Sequence, residues 1–97
     1  MNLTTHKGAG RLETNSGTFE VSYLLTVTRS TTAEDGYGHI QAKGVPFGKL
    51  LLAAAPLTLV LEDRGKVQIL LAQAGFGERA GFNTTGKIPD FLFSKAA

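Results

Sequence analysis

The chain predicts an all-β, mainly antiparallel fold: a small β-barrel or β-sandwich of about six strands, with at most one short helix near 47–55. Three patterns carry that prediction. Residues 57–73, LTLVLEDRGKVQILLAQ, place two apolar runs around Asp63-Arg64-Gly65, with glycine where a three-residue hairpin loop needs positive φ. Residues 18–28 alternate strictly, Phe19, Val21, Tyr23, Leu25 and Val27 against Thr18, Glu20, Ser22, Thr26 and Thr28. Twelve glycines in 97 residues exceed the average of about 7% and punctuate the chain at short intervals, as turns and strand bends require.

The elements follow from the N-terminus. Residues 1–8 read as a frayed end or a short edge segment. Residues 10–14 should pair with the long strand across Asn15-Ser16-Gly17. An odd loop would set Leu12 opposite Glu20 on the polar face, whereas an even one sets it against Phe19 or Val21, so burial selects the even loop. At eleven residues the strand 18–28 is long enough to bend or to serve two sheets. Residues 29–36, RSTTAEDG, form a polar loop. Residues 37–43 are a weaker strand, with Ile40 and Ala42 on one face and Tyr37, His39, Gln41 and Lys43 on the other.

The run 49–55, KLLLAAA, favours helix, and Pro56 stops it after two turns at most, long enough to cap an open end of the β layer. The hairpin 57–73 then predicts Glu62 opposite Lys66, Leu61 opposite Val67, Leu59 opposite Ile69 and Leu57 opposite Leu71, with one face wholly aliphatic. Residues 75–86 read as a glycine-rich connection, and 88–93 as a last strand held to an edge by Pro89.

Composition narrows the function classes. Residues 1–97 make a single β domain. With no cysteine, disulfides, thiolate zinc sites and thiol nucleophiles are excluded. The net charge of +2 comes from scattered Lys and Arg, with no basic block to serve as a polyanion-binding tail. Neither an apolar leader core nor 18 uninterrupted apolar residues occurs, so a soluble, cytoplasmic protein is expected, without membrane contact.

Motifs that carry chemistry are sparse. Gly75-Phe76-Gly77-Glu78-Arg79-Ala80 satisfies a dinucleotide-binding G-x-G-x-x-A pattern, but Gly81, Gly86 and Pro89 break the helix that a pyrophosphate needs. His6 and His39 lie 33 residues apart with no metal-ligand spacing, and no serine occupies a G-x-S-x-G elbow. The adjacent Glu34 and Asp35 suit a turn, and Glu13 and Glu20 suit a wet strand face, better than acid–base work. No cofactor, metal or catalytic set is therefore expected. Tyr37, His39, Lys43 and Phe47, with Lys49 beside them, form one aromatic–basic cluster, the kind that binds single-stranded nucleic acid or another ligand. Leu24 and Leu70 interrupt otherwise polar strand faces, which predicts self-association as a homodimer. The expected function is a non-catalytic binding or assembly module. A small nucleic-acid-binding barrel is the alternative, and an enzyme with an unrecognised site the third reading.

Overall fold

The opening hairpin joins two thirteen-residue strands, β1 (Asn2–Thr14) and β2 (Gly17–Arg29). These come from a computed structural model that describes residues 2–15, 17–53, 55–62, 65–74 and 78–93. The connection is the even loop that burial demands, with Leu12 opposite Phe19 and Thr14 opposite Gly17. Leu12 is fully buried, and Val21, Tyr23, Leu25 and Val27 follow it into the core on every second residue of β2.

Residues 2–8 are the lower half of β1 and pair with β2 alone, because the short strand β4 (Leu57–Val60) meets β1 only at residues 11–13. Their inward positions are Thr4, His6 and Gly8, which carry no apolar alternation.

A four-residue turn, closed by the Ser30 N–H donating to the Ala33 carbonyl at 2.8 Å, leads into β3 (Glu34–Gln41). The chain then crosses to β4 and continues through β5 (Lys66–Ala74) and β6 (Arg79–Thr84). The six strands close in the order β1-β2-β3-β6-β5-β4, antiparallel at every step. Closure leaves no free sheet edge along most of the molecule and gathers Leu25, Ile40, Leu59, Ile69 and Phe82 into one core.

Both ends of the barrel are covered. Because the strands alternate in direction, β3 ends and β4 begins at the same end, so the crossover 42–56 spans it. On that crossover helix α1 (Phe47–Ala53) packs Phe47, Leu50 and Leu51 against the core, two turns long as the composition predicts. The opposite end is closed by a 3-10 helix, Asp90–Phe93, whose Leu92 and Phe93 are buried with Ile88. Arg29 clasps this plug. Its guanidinium bonds Asp90 and Glu34, each at 2.7 Å, and lies 4.0 Å over the Phe93 ring. The bond to Asp90, with a second to Glu34, holds the Arg29 pKa above the ordinary arginine value. The His6 Nε2–H adds a 2.7 Å bond to the Leu92 carbonyl.

Three expectations need correction. The hairpin register is displaced by two residues: Leu57 lies opposite Ile69, Leu59 opposite Val67 and Val60 opposite Lys66. A shift of two preserves parity, so Leu57, Leu59, Leu61, Val67, Ile69 and Leu71 still share the buried face. The strand ends early because the Glu62 N–H donates to the Tyr23 hydroxyl at 3.1 Å instead of facing Lys66, while Leu61 closes the loop onto the Gly65 carbonyl at 2.7 Å. The turn residues 63 and 64, on which the assignment of the Gly65 turn depends, lie outside the described residues.

The glycine-rich connection 75–86 contains strand β6, in which Ala80 and Phe82 point inward. The expected last strand 88–93 is instead the 3-10 helix: Pro89 accepts from the Leu92 N–H at 3.1 Å. Proline has no N–H for a ladder and its fixed φ suits the first position of a helical turn. Ile88, Leu92 and Phe93 are accordingly buried while Phe91 is not, a helical rather than a two-residue period.

Candidate functional site

The registers assemble one outer face from β1, β2, β3, β6 and β5. Its rows run Ala9–Ser22–Gln41–Arg79, then Lys7–Leu24–His39–Gly81–Gln73, then Thr5–Thr26–Tyr37–Asn83–Leu70. Four residues singled out from the sequence thus meet. Leu24 lies directly opposite His39, and Asn83 is flanked by Tyr37 on one side and Leu70 on the other. Two sets read as separate, a ligand face and a self-association face, form one surface. Tyr37 is 48% exposed and Leu70 38%, while Leu24 and His39, in the adjoining row, are half-buried.

Phe47 does not belong to this surface. It is 3% exposed, in the core beneath α1, because a large apolar side chain at the start of a helix lying across an open barrel end turns inward. Lys43 remains exposed in the turn after β3, above Gln41. The aromatic–basic cluster therefore keeps Tyr37, His39 and Lys43, loses Phe47, and gains Lys7 and Arg79. Those two cations come from strands 30 or more residues away in sequence, and their place on the face follows only from the β1–β2 and β3–β6 registers.

The face has a definite electrostatic character. None of the three rows contains an aspartate or glutamate. Carboxylates border the rows instead: Glu20 pairs with Arg11 beyond Ser22, Asp35 pairs with Thr28 below Tyr37, Glu78 precedes Arg79, and Glu62 shares a depression with Lys7 at the β1 margin. Among the described residues the ion pairs are those of Arg29 with Glu34 and Asp90, so Lys7 and Arg79 carry their charge unpaired on the face. Amides and hydroxyls fill the remainder, with Gln41, Gln73, Asn83, Ser22, Thr5 and Thr26 offering both donors and acceptors. At the centre the Gln73 side chain packs over Gly81, where an added Cβ would lie 3.2 Å from it.

Two depressions meet at Ser22 and Gln41. One of about 290 Å³ lies on the face itself, walled by Lys7, Leu24, His39, Gln41 and Arg79. A larger one of about 630 Å³ adjoins it at Ser22 and Gln41 and runs toward Val60. Its wall sets Arg11 among Glu20 and Glu62 and contains no aromatic side chain, so it lacks the combination that makes the face distinctive.

Among the described residues no group of three His, Cys, Asp or Glu side chains is placed to hold a metal ion, and no helix is long and apolar enough to cross a membrane. His6 and His39 lie apart, one against the C-terminal plug and the other on the outer face. Of the G-x-G-x-x-A stretch, residues 75–77 lie outside the described residues, and Ala80 sits in strand β6 rather than in a helix. The chain matches no family model, no curated protein and no solved structure.

Proposed function

We propose that this protein is a non-catalytic binding module whose working surface is the outer face of β2, β3 and β6. One observation supports the reading above others: the register that brings Leu24, Tyr37, His39 and Leu70 together around Gly81 and Asn83. Partly exposed apolar groups ringed by amides, hydroxyls and unpaired cations combine the anchors and orienting groups that recognition requires. A rigid closed barrel holds them without the ordering cost that a mobile loop would add on binding.

Fragment mapping tests the proposal without a known partner. The ¹⁵N-labelled protein would be titrated with phenol, indole and benzamide. Amide shifts are expected to concentrate at Leu24, Tyr37, His39, Gly81 and Asn83. Shifts concentrated along the Arg11–Glu62 depression, or spread evenly over the barrel, would overturn the reading.

A further inference from the structure

We infer that the outer face takes single-stranded nucleic acid; this rests on the reading of that face as the working surface. The argument is charge complementarity joined to aromatic exposure. Three contiguous rows without a carboxylate carry Lys7, Arg79 and His39, with Lys43 at their upper margin. Strands spaced about 4.8 Å apart put Lys7 on β1 and Arg79 on β6 roughly 14 Å from each other across the sheet. Cations so placed track an extended phosphate backbone rather than one compact anion.

Tyr37 sits in the row below Lys7 and His39 with nearly half its surface open, and Asn83 is its direct neighbour on β6. An exposed ring on an antiparallel sheet surface is a stacking platform for a base, and the neighbouring amide can bond that base's edge. One row away, the depression of about 290 Å³ beside His39, walled by Lys7, Leu24, Gln41 and Arg79, gives a second base or a sugar a place.

A second copy of the chain suits the face poorly. Two such faces stacked together would bury Lys7 and Arg79 of both copies with no carboxylate in any row to pair with them. A duplex suits it poorly as well, because the base faces that Tyr37 would stack on are already occupied within the helix.

The test uses labelled oligo-dT and oligo-U of about 12 nucleotides, within the size range of small barrel sites, read by fluorescence anisotropy. Both strands are expected to bind, with affinity falling as salt rises from about 50 to 200 mM. Lys7→Gln and Arg79→Gln should each flatten that salt slope by about 0.7, the value for one lost phosphate contact on a single strand. Tyr37→Ala should weaken binding about five- to hundred-fold, and Tyr37→Phe should restore it, since stacking needs the ring and not the hydroxyl.

The chain has two tyrosines and no tryptophan, and Tyr23 is buried, so quenching of tyrosine emission on binding reports Tyr37 itself. Asn83→Asp, a near-isosteric exposed change, should weaken binding by placing a carboxylate inside the acid-free rows. Circular dichroism of each variant separates lost binding from lost fold. Absence of oligonucleotide binding together with fragment shifts at Tyr37 and Gly81 would overturn this inference and leave the working-surface reading standing. Oligonucleotide binding unaffected by Tyr37→Ala and Asn83→Asp would overturn both. A concentration-dependent dimer dissolved by Leu24→Lys would identify a second copy as the occupant and overturn the nucleic-acid assignment.

Discussion

Leu59→Ala is expected to lower the free energy of unfolding by about 2–5 kcal/mol in urea titration. Leu59 is fully buried on β4 and is the point where two ladders meet, facing Leu12 of β1 and Val67 of β5. Removing its isobutyl group forfeits the transfer free energy of those atoms and leaves a cavity that the closed barrel cannot collapse easily. The effect is large against the roughly 5–15 kcal/mol that holds a domain of this size. A loss below about 0.5 kcal/mol, the range of an ordinary surface change, would show that the aliphatic face of the hairpin is not the core.

Gly38→Ala should be at least as damaging, and for a different reason. An added Cβ at Gly38 would lie 1.9 Å from the Leu24 carbonyl oxygen, which is backbone and has no rotamer to escape into. Strand β2 coils so closely over β3 at this pair, Leu25 opposite Gly38, that only a residue without Cβ fits. Overpacking typically costs about 1–3 kcal/mol; a clash with a ladder carbonyl belongs at the upper end or beyond. The comparison that checks it is Gly48→Ala, at an exposed glycine where a Cβ meets nothing within 4 Å. That variant, on helix α1, should match or exceed wild-type stability. Equal stability for the two variants would contradict the close approach of β2 and β3.

The glycine at 38 also shows why some of this fold is hard to read from the sequence. Where inward positions carry apolar side chains, as at Val21, Tyr23, Leu25 and Val27, the two-residue period is plain, and the even loop at 15–16 follows from parity. In the lower half of β1 and the first half of β3 the inward positions are Thr4, His6, Gly8, Gly36 and Gly38. Backbone approach there fills space that side chains fill elsewhere, and the period disappears. Strand β6 is hidden similarly, since RAGFNT carries only Ala80 and Phe82 toward the core.

The hairpin register is a separate matter. Parity fixes which face is buried, but the last two pairs are decided by Tyr23, a residue 39 positions away whose hydroxyl takes the Glu62 N–H. No local turn rule contains that bond.

Legibility of the site follows the same division. That Tyr37 and His39 share a polar face is local and readable by alternation. That Leu24 lies beside His39, and Leu70 and Tyr37 beside Asn83, depends on registers between strands far apart in sequence. Proximity along the chain places Phe47 with the cluster, but a tertiary demand, covering the open end of the barrel, takes it into the core.

The outer face exists only if β3 pairs with β6, a junction between elements about 40 residues apart that closes the barrel as well. The direct measurement is the set of backbone nuclear Overhauser contacts in uniformly labelled protein. Cross-strand contacts are expected between His39 and Gly81 and between Tyr37 and Asn83, with slow amide exchange along β3 on both of its sides. A β3 that contacts β2 alone, with the outward amides of a free edge exchanging rapidly, would contradict the closed barrel and dismantle the face with it.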